Sequence, residues 1–184
     1  MLNDIQEIYF SKEQLKEITD RIGAQISRDF EGKDLILISV LKGSVIFMAD
    51  LMRAVTIPCE IDFMAVSSYG KGVKTSGVVK IIKDLDIEIE GYDLLIVEDI
   101  LDSGRTLSYI SEILEARNPN SIRICTFLDK PERREVNLKA DYIGTQVPDE
   151  FVVGYGLDFA EKYRNLPFLG VLKREVYDKK VSAD

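Results

Sequence analysis

Leu94-Leu95-Ile96-Val97-Glu98-Asp99-Ile100-Leu101-Asp102-Ser103-Gly104-Arg105-Thr106 decides how the chain is read. An apolar run followed by small polar residues and then a helical pattern suits a buried parallel strand feeding a helix. Leu107, Ile110, Ile113 and Leu114 supply that helix with one apolar face. Ligands in open α/β sheets bind beyond the carboxyl ends of such strands. Glu98 and Asp99 fall near that end, where two buried charges are costly unless hydroxyl groups or a cation engage them. Ser103 to Thr106 then offer backbone N–H groups at a helix start, a place that favours an anion. A carboxylate pair beside a phosphate cradle suits a ligand carrying a phosphate together with hydroxyls or magnesium. Neither the ATP-binding spacing G-x-x-x-x-G-K-[ST] nor a dinucleotide fingerprint is present.

Outward from this unit, strands and helices alternate. Ser11 to Gln14 forms a capping box, and Leu15, Ile18, Ile22 and Ile26 repeat at helical spacing until Gly32 closes the segment. Leu35 to Leu41 reads as a first buried strand, Ser44 to Met52 as the following helix, and Ile61 to Val66 as another strand. Residues 67–77 are rich in glycine and small polar residues, which suits a mobile loop or irregular hairpin, either a plain surface loop or a lid that closes over substrate, with Val78 to Ile82 and Ile87 to Ile89 as returning strands. Asn118-Pro119-Asn120 ends the central helix, and Ile122 to Leu128 supplies a further strand. Tyr142-Ile143, Phe151 to Tyr155 and Leu169 to Leu172 suggest a small strand-containing appendage. The expected fold is α/β, with a mainly parallel central sheet flanked by helices, in a single domain spanning residues 1–184.

Composition removes several chemistries. The chain has 184 residues, 46% of them hydrophobic, and a net charge of -8, which argues against a broad nucleic-acid groove. It contains no histidine, so Ser-His-Asp, Cys-His and His-ligated zinc chemistry are excluded. Cys59 and Cys125 lie in apolar stretches without ligand spacing and read as buried structural thiols. Asp4 and Glu7 precede any long apolar segment, unlike a secretory signal. Leu35 to Met52 is interrupted by Lys42 and carries Asp50, too polar for a membrane span. A cytoplasmic protein without membrane contact is expected.

Val97 to Thr106, with its acidic pair and Asp-Ser-Gly-x-Thr, resembles the phosphoribosyl-diphosphate motif of the purine phosphoribosyltransferases, especially the hypoxanthine-guanine type. Leu41-Lys42-Gly43-Ser44, Ser68-Tyr69-Gly70, Phe127 to Pro131 and Pro148 to Asp158 extend the resemblance in family order over most of the chain. The resemblance implies a type I phosphoribosyltransferase fold with a small hood formed by the terminal segments, mainly the C-terminal one. It also implies a magnesium-dependent transfer from 5-phosphoribosyl 1-diphosphate to an oxopurine, with two magnesium ions in the complete substrate complex.

Site roles follow from the same resemblance. Glu98 and Asp99 hold the ribose hydroxyls, directly or through magnesium, and Asp102, Ser103, Gly104, Arg105 and Thr106 hold the 5'-phosphate. Asp102 is the candidate for the N7 proton of the purine; its ordinary alternative is a helix cap. Leu41, Lys42 and Gly43 form the pyrophosphate loop, with a cis peptide between Leu41 and Lys42, and Arg164 is a second pyrophosphate clamp. Lys130 donates to the 6-oxo group, Phe151 stacks on the purine, Val152 presents backbone groups, and Asp158 serves a second magnesium. Ser68 and Tyr69 belong to the closing loop, and a homodimer or homotetramer is expected. Two other classes stand beside this one. A nucleotide-sensing RNA-binding regulator of similar fold would need a coherent basic surface, and a magnesium-dependent phosphate hydrolase would need no purine acceptor.

Overall fold

Leu35 to Val40 and Leu94 to Val97 are buried along their whole length, which requires cover on both faces of the sheet that holds them. The computed structural model of the protein describes residues 1–68 and 79–178. Its elements are β1 (Ile5–Phe10), α1 (Lys12–Asp29), β2 (Leu35–Leu41), α2 (Val45–Ala54), β3 (Cys59–Ser68), β4 (Val79–Lys83) and β5 (Asp93–Leu101). There follow α3 (Arg105–Glu115), β6 (Ser121–Asp129), β7 (Tyr142–Gln146), β8 (Val152–Val153), β9 (Leu169–Leu172) and the single turn α4 (Arg174–Tyr177). A six-stranded sheet has the order β4-β3-β2-β5-β6-β7 and is parallel except for β4 against β3.

The two faces divide by strand alternation. Leu35, Leu37, Leu95 and Val97 pack with Leu15, Ile22, Phe47 and Leu51, so α1 and α2 cover one face. Ile36, Ile38, Leu94 and Ile96 pack with Leu107, Ile110 and Leu114 of α3 on the other. The capping box forms as expected: Ser11 Oγ accepts from Gln14 N–H at 3.4 Å, and Gln14 Oε1 accepts from Ser11 N–H at 2.8 Å. Cys125 is buried and Cys59 half-buried, both as free thiols. No helix among the described residues is long and apolar enough to cross a membrane.

Four expectations change. Tyr142-Ile143 lies in the main sheet and not in an appendage, because β7 pairs in parallel with β6 from Cys125↔Tyr142 onward. Ile87 to Ile89 forms no strand. Buried Asp62 accepts the N–H groups of Asp86 and Ile87 at 2.7 and 3.3 Å, which turns the chain there and leaves Ile89 as a core plug. The amino-terminal β1, not foreseen, pairs antiparallel with β9, and β8 completes a separate three-stranded sheet of order β1-β9-β8. Finally, Ser67 and Ser68 belong to β3, opposite Lys80 and Val79, while the rest of the anticipated loop, Tyr69 to Gly77, lies outside the described residues.

Candidate active site

The winding of the sheet reverses between β2 and β5, since β3 lies to one side of β2 and β5 to the other. Such a switch point opens a crevice at the carboxyl ends of the strands. Its position is legible in the register: β2 pairs with β5 only as far as Ser39↔Val97, whereas β6 follows β5 to Leu101↔Asp129. Glu98 and Asp99 therefore sit within β5 and not beyond its end, on the stretch whose β2-facing edge has lost its neighbour. The turn after β2 closes the gap. A Cβ built on Gly43 would lie 1.8 Å from Asp99 Oδ2, so no side chain fits between loop and carboxylate. The Leu41–Lys42 peptide that leads into this turn is cis, as the resemblance implied. Ser44 Oγ, bonded to Val40 O and to Ser39 Oγ at 2.7 Å, braces the loop from below.

Dense surrounding protein desolvates the acidic pair although both residues keep some surface. Burial pushes the Glu98 carboxyl well above its ordinary range, and the charge of Asp99 adds to this. Asp99 is pushed up to about 6, again mainly by burial, with Asp158 acting in the same direction and Ile100 N–H and Arg164 opposing. Glu98 Oε2 is buried without a hydrogen-bond partner. That Glu98 oxygen is of the kind a proton, a hydroxyl or a cation would satisfy. No cluster of three or more protein ligands that could hold a metal occurs among the described residues. Oxygen donors from one or two carboxylates nevertheless suit magnesium, which commonly completes its shell with substrate oxygens and water.

Two hollows open on either side of Asp102. The smaller, about 90 Å³, is lined by Glu98, Asp102, Ser103, Gly104 and Thr106 at the start of α3. Gly104, at φ +81°, is the residue that caps α3, so the alternative role of Asp102 as cap is not what occurs. The Arg105 side chain is drawn off to Glu135 at 2.5 Å, and what it offers the cradle is backbone N–H, 3.4 Å from Ser103 Oγ. The larger hollow, about 430 Å³, brings Asp102 together with Lys130, Phe151, Val152 and Asp158. Lys130 is buried, and its ammonium donates to Glu150 O at 2.6 Å. Ile100 and Asp102 line both hollows, and Asp102 is the ionisable one of the two.

Across the crevice, Arg164 Nη2 lies 2.8 Å from Asp158 Oδ1, and its Nη1 donates to Gly156 O at 2.9 Å. Lys42 Nζ is 3.2 Å from Glu161 Oε2, which also meets Arg164 at 3.3 Å. Gly156, at φ +102°, lies so close to the Gly43 carbonyl that a Cβ would come within 2.0 Å of it. Gly43, Asp158 and Arg164 are thereby gathered around Asp99, with Lys42 tied to the same group through Glu161 and the Arg164 Nε buried and unpartnered. Ser68 ends β3, and Tyr69 lies outside the described residues. A still larger apolar hollow of about 550 Å³ lies between α1, α2 and residues 164–167 and shares only Arg164 with this site.

Several residues of the site were not foreseen. Tyr177 stacks on Phe151 with ring centroids 4.9 Å apart and 21° between planes, and it lines the same hollow. Arg133 Nε stands 2.9 Å from Asp102 Oδ1, at an ion-pair distance but without a hydrogen bond. Arg134 reaches Asp102 O and the Asp129 carboxylate. The doubled arginine beside Lys130 was the only available signal for the last two; a lone tyrosine near the chain end carried none.

Comparison with known proteins identifies the family and agrees with the fold. The phosphoribosyl transferase domain family matches residues 6–160. The chain is 52% identical over 176 residues to the hypoxanthine-guanine phosphoribosyltransferase of Streptococcus pyogenes serotype M3, covering 96% of this chain and 98% of the relative. A crystal structure of a hypoxanthine phosphoribosyltransferase from Staphylococcus aureus superposes with a TM-score of 0.93 at 50% identity, covering 96% of each chain. Bifunctional TilS/HprT of Listeria monocytogenes serotype 4b is 50% identical over 179 residues, or 97% of this chain, but the chain spans only 28% of that protein's length. Matched by the family over residues 6–160 and half identical to such relatives along nearly its whole length, the chain belongs to the phosphoribosyl transferase family, on its hypoxanthine-guanine branch.

Proposed function

We propose that the protein is a purine-salvage transferase that converts hypoxanthine or guanine and 5-phosphoribosyl 1-diphosphate to IMP or GMP and pyrophosphate. One juxtaposition carries this reading: Asp102 lines both the small anion cradle and the buried-lysine hollow, with Glu98 and Asp99 beside them in the crevice. A sugar bearing a 5'-phosphate at one end and a diphosphate at the other spans that arrangement, and a flat base enters from the third side.

In this reading the N–H groups and hydroxyls of residues 103–106 hold the 5'-phosphate. Glu98 and Asp99 hold the ribose hydroxyls, and the Lys42–Gly43 turn with Arg164 receives the diphosphate. Lys130 donates to the 6-oxo group, which favours an oxopurine over adenine. Phe151 stacks on the base, and Val152 offers backbone polar groups to its edge. Holding both partners converts their encounter into an intramolecular one. As the base nitrogen bonds to the anomeric carbon, the bond from that carbon to the diphosphate oxygen breaks, and Asp102 takes the N7 proton. Glu98 and Asp99, and Asp158 at the diphosphate, would hold two magnesium ions, which supply neutralisation of the departing pyrophosphate. The β1-β9-β8 sheet acts as the hood, and the enzyme works as a homodimer or homotetramer in the cytoplasm.

The test supplies 5-phosphoribosyl 1-diphosphate, magnesium and each purine separately, and identifies nucleotide and pyrophosphate products. Release of phosphate without a purine, or nucleotide-dependent RNA binding with no transfer, overturns the reading.

A further inference from the structure

We propose that Arg134 is a positioning residue that ties the base-binding lysine segment to the phosphate cradle and sets the cradle's geometry. The inference rests on the transferase reading above and extends it to a residue that lines neither of the two hollows beside Asp102.

The segment after β6 is fastened along the cradle at successive residues. Lys130 N–H donates to Leu101 O at 3.0 Å, and Glu135 N–H donates to Ser103 O at 2.9 Å. Between them, the Arg134 guanidinium forks. Its Nη1 donates to Asp102 O and its Nη2 pairs with the Asp129 carboxylate. Asp129 is held in turn by Gln146 Nε2 at 3.4 Å. The side chains of Arg134 and Asp129 are only 16% and 7% exposed, against 51% and 46% for the neighbouring Arg133–Asp102 pair. A surface pair such as the latter is screened and weak, whereas a buried forked one is a fixed strut. Packing reinforces it: a Cβ on Gly104 would lie 3.1 Å from Arg134 Cδ and 2.9 Å from Val136 Cγ2. Gly104 is the residue whose left-handed backbone turns the chain into α3, so Arg134 lies against the hinge of the cradle itself. The planar fork can serve a carboxylate and a carbonyl at once, which a lysine ammonium at the end of a flexible stem does poorly.

Arg134→Lys keeps a cation beside Asp129 and removes the second arm, so it separates cradle positioning from charge burial. Calorimetric titration of the full chain with GMP and with guanosine reads the effect. The expected result is about a tenfold loss of GMP affinity, about 1.4 kcal/mol, with guanosine affinity unchanged within about twofold. kcat/KM for 5-phosphoribosyl 1-diphosphate should fall by a similar factor while KM for guanine holds. Should Arg134→Lys fail to fold, the double variant Asp129→Asn with Arg134→Met removes the buried pair as neutral groups and should show the same phosphate-selective loss. Equal weakening of GMP and guanosine, or no weakening of either, overturns the inference while leaving the transferase reading intact. Failure of the wild-type chain to bind GMP at all overturns both.

Discussion

Replacing Asp99 by Asn should yield a more stable and inactive protein, with the gain confined to neutral and alkaline pH. Burial lifts the Asp99 carboxyl from 3.8 to about 6, so the folded chain binds that proton more tightly than the unfolded chain. Between those two values the native state carries more protons than the unfolded state, and stability therefore falls as pH rises through that window and stays low above it. The interval of roughly two pH units, at about 1.4 kcal/mol each, makes an ionised Asp99 cost about 3 kcal/mol at pH 8. Glu98 is raised in the same direction and shares one repulsion with it, so the single substitution should recover roughly 1–3 kcal/mol. Asn retains an oxygen for the Ile100 N–H now 2.8 Å from Asp99 Oδ1. At roughly 2–4 °C per kcal/mol for a chain of this size, thermal melts with EDTA at pH 8 should rise by about 3–10 °C. At pH 4 the gain should shrink to about 1 °C or less, because wild-type Asp99 is then protonated in the fold. Equal gains at both pH values, or a loss at pH 8, would refute the reasoning that desolvation dominates this carboxylate.

Gly43→Ala should abolish most turnover, by about a hundredfold or more, because its Cβ would occupy the place of Asp99 Oδ2; wild-type kcat in the purified variant would contradict the geometry. Lys130→Met should raise KM for guanine with little change in KM for the sugar diphosphate, a loss of about 2–3 kcal/mol in kcat/KM from a buried charged donor. Steady-state kinetics varying each substrate in turn separates the two. Tyr177→Ala, which removes the stacked partner of Phe151, should raise KM for the purine by about three- to tenfold, from an aromatic pair worth about 0.5–1.5 kcal/mol; an unchanged KM would place the ring outside the base site. Thiol labelling of the native chain should modify half-buried Cys59 slowly and reach Cys125 only on unfolding, since burial pushes both thiols up and Cys125 the further; mass spectrometry reads the order.

Local signals carried the parts of the fold that are local. The capping box of Ser11 and Gln14, the apolar stripe of α1 and the continuous hydrophobic runs of β2 and β5 all act through neighbours a few residues apart or through burial on both faces. What escaped depended on distant partners. β1 is a strand because Leu169 to Leu172 lies beside it, and Tyr142 joins the main sheet because Cys125 of β6 offers a free edge. Conversely, Ile87 to Ile89 carries apolar residues suited to a strand, yet Asp62 captures its backbone first.

The site divides in the same way. Order and residue type along the chain determined that it belongs to the phosphoribosyl transferase family, and put forward Glu98, Asp99, residues 102–106 and Lys130 as its candidate site. Tertiary structure alone decided that β2 leaves β5 after Val97, which opens the crevice at Glu98 and brings Gly43 against Asp99. It alone also set Tyr177 on Phe151 and Arg134 beneath Asp102. The reason is physical: a motif records which groups the chain carries, whereas desolvation, close approach and a buried arginine's choice of partners exist only once distant segments share one volume.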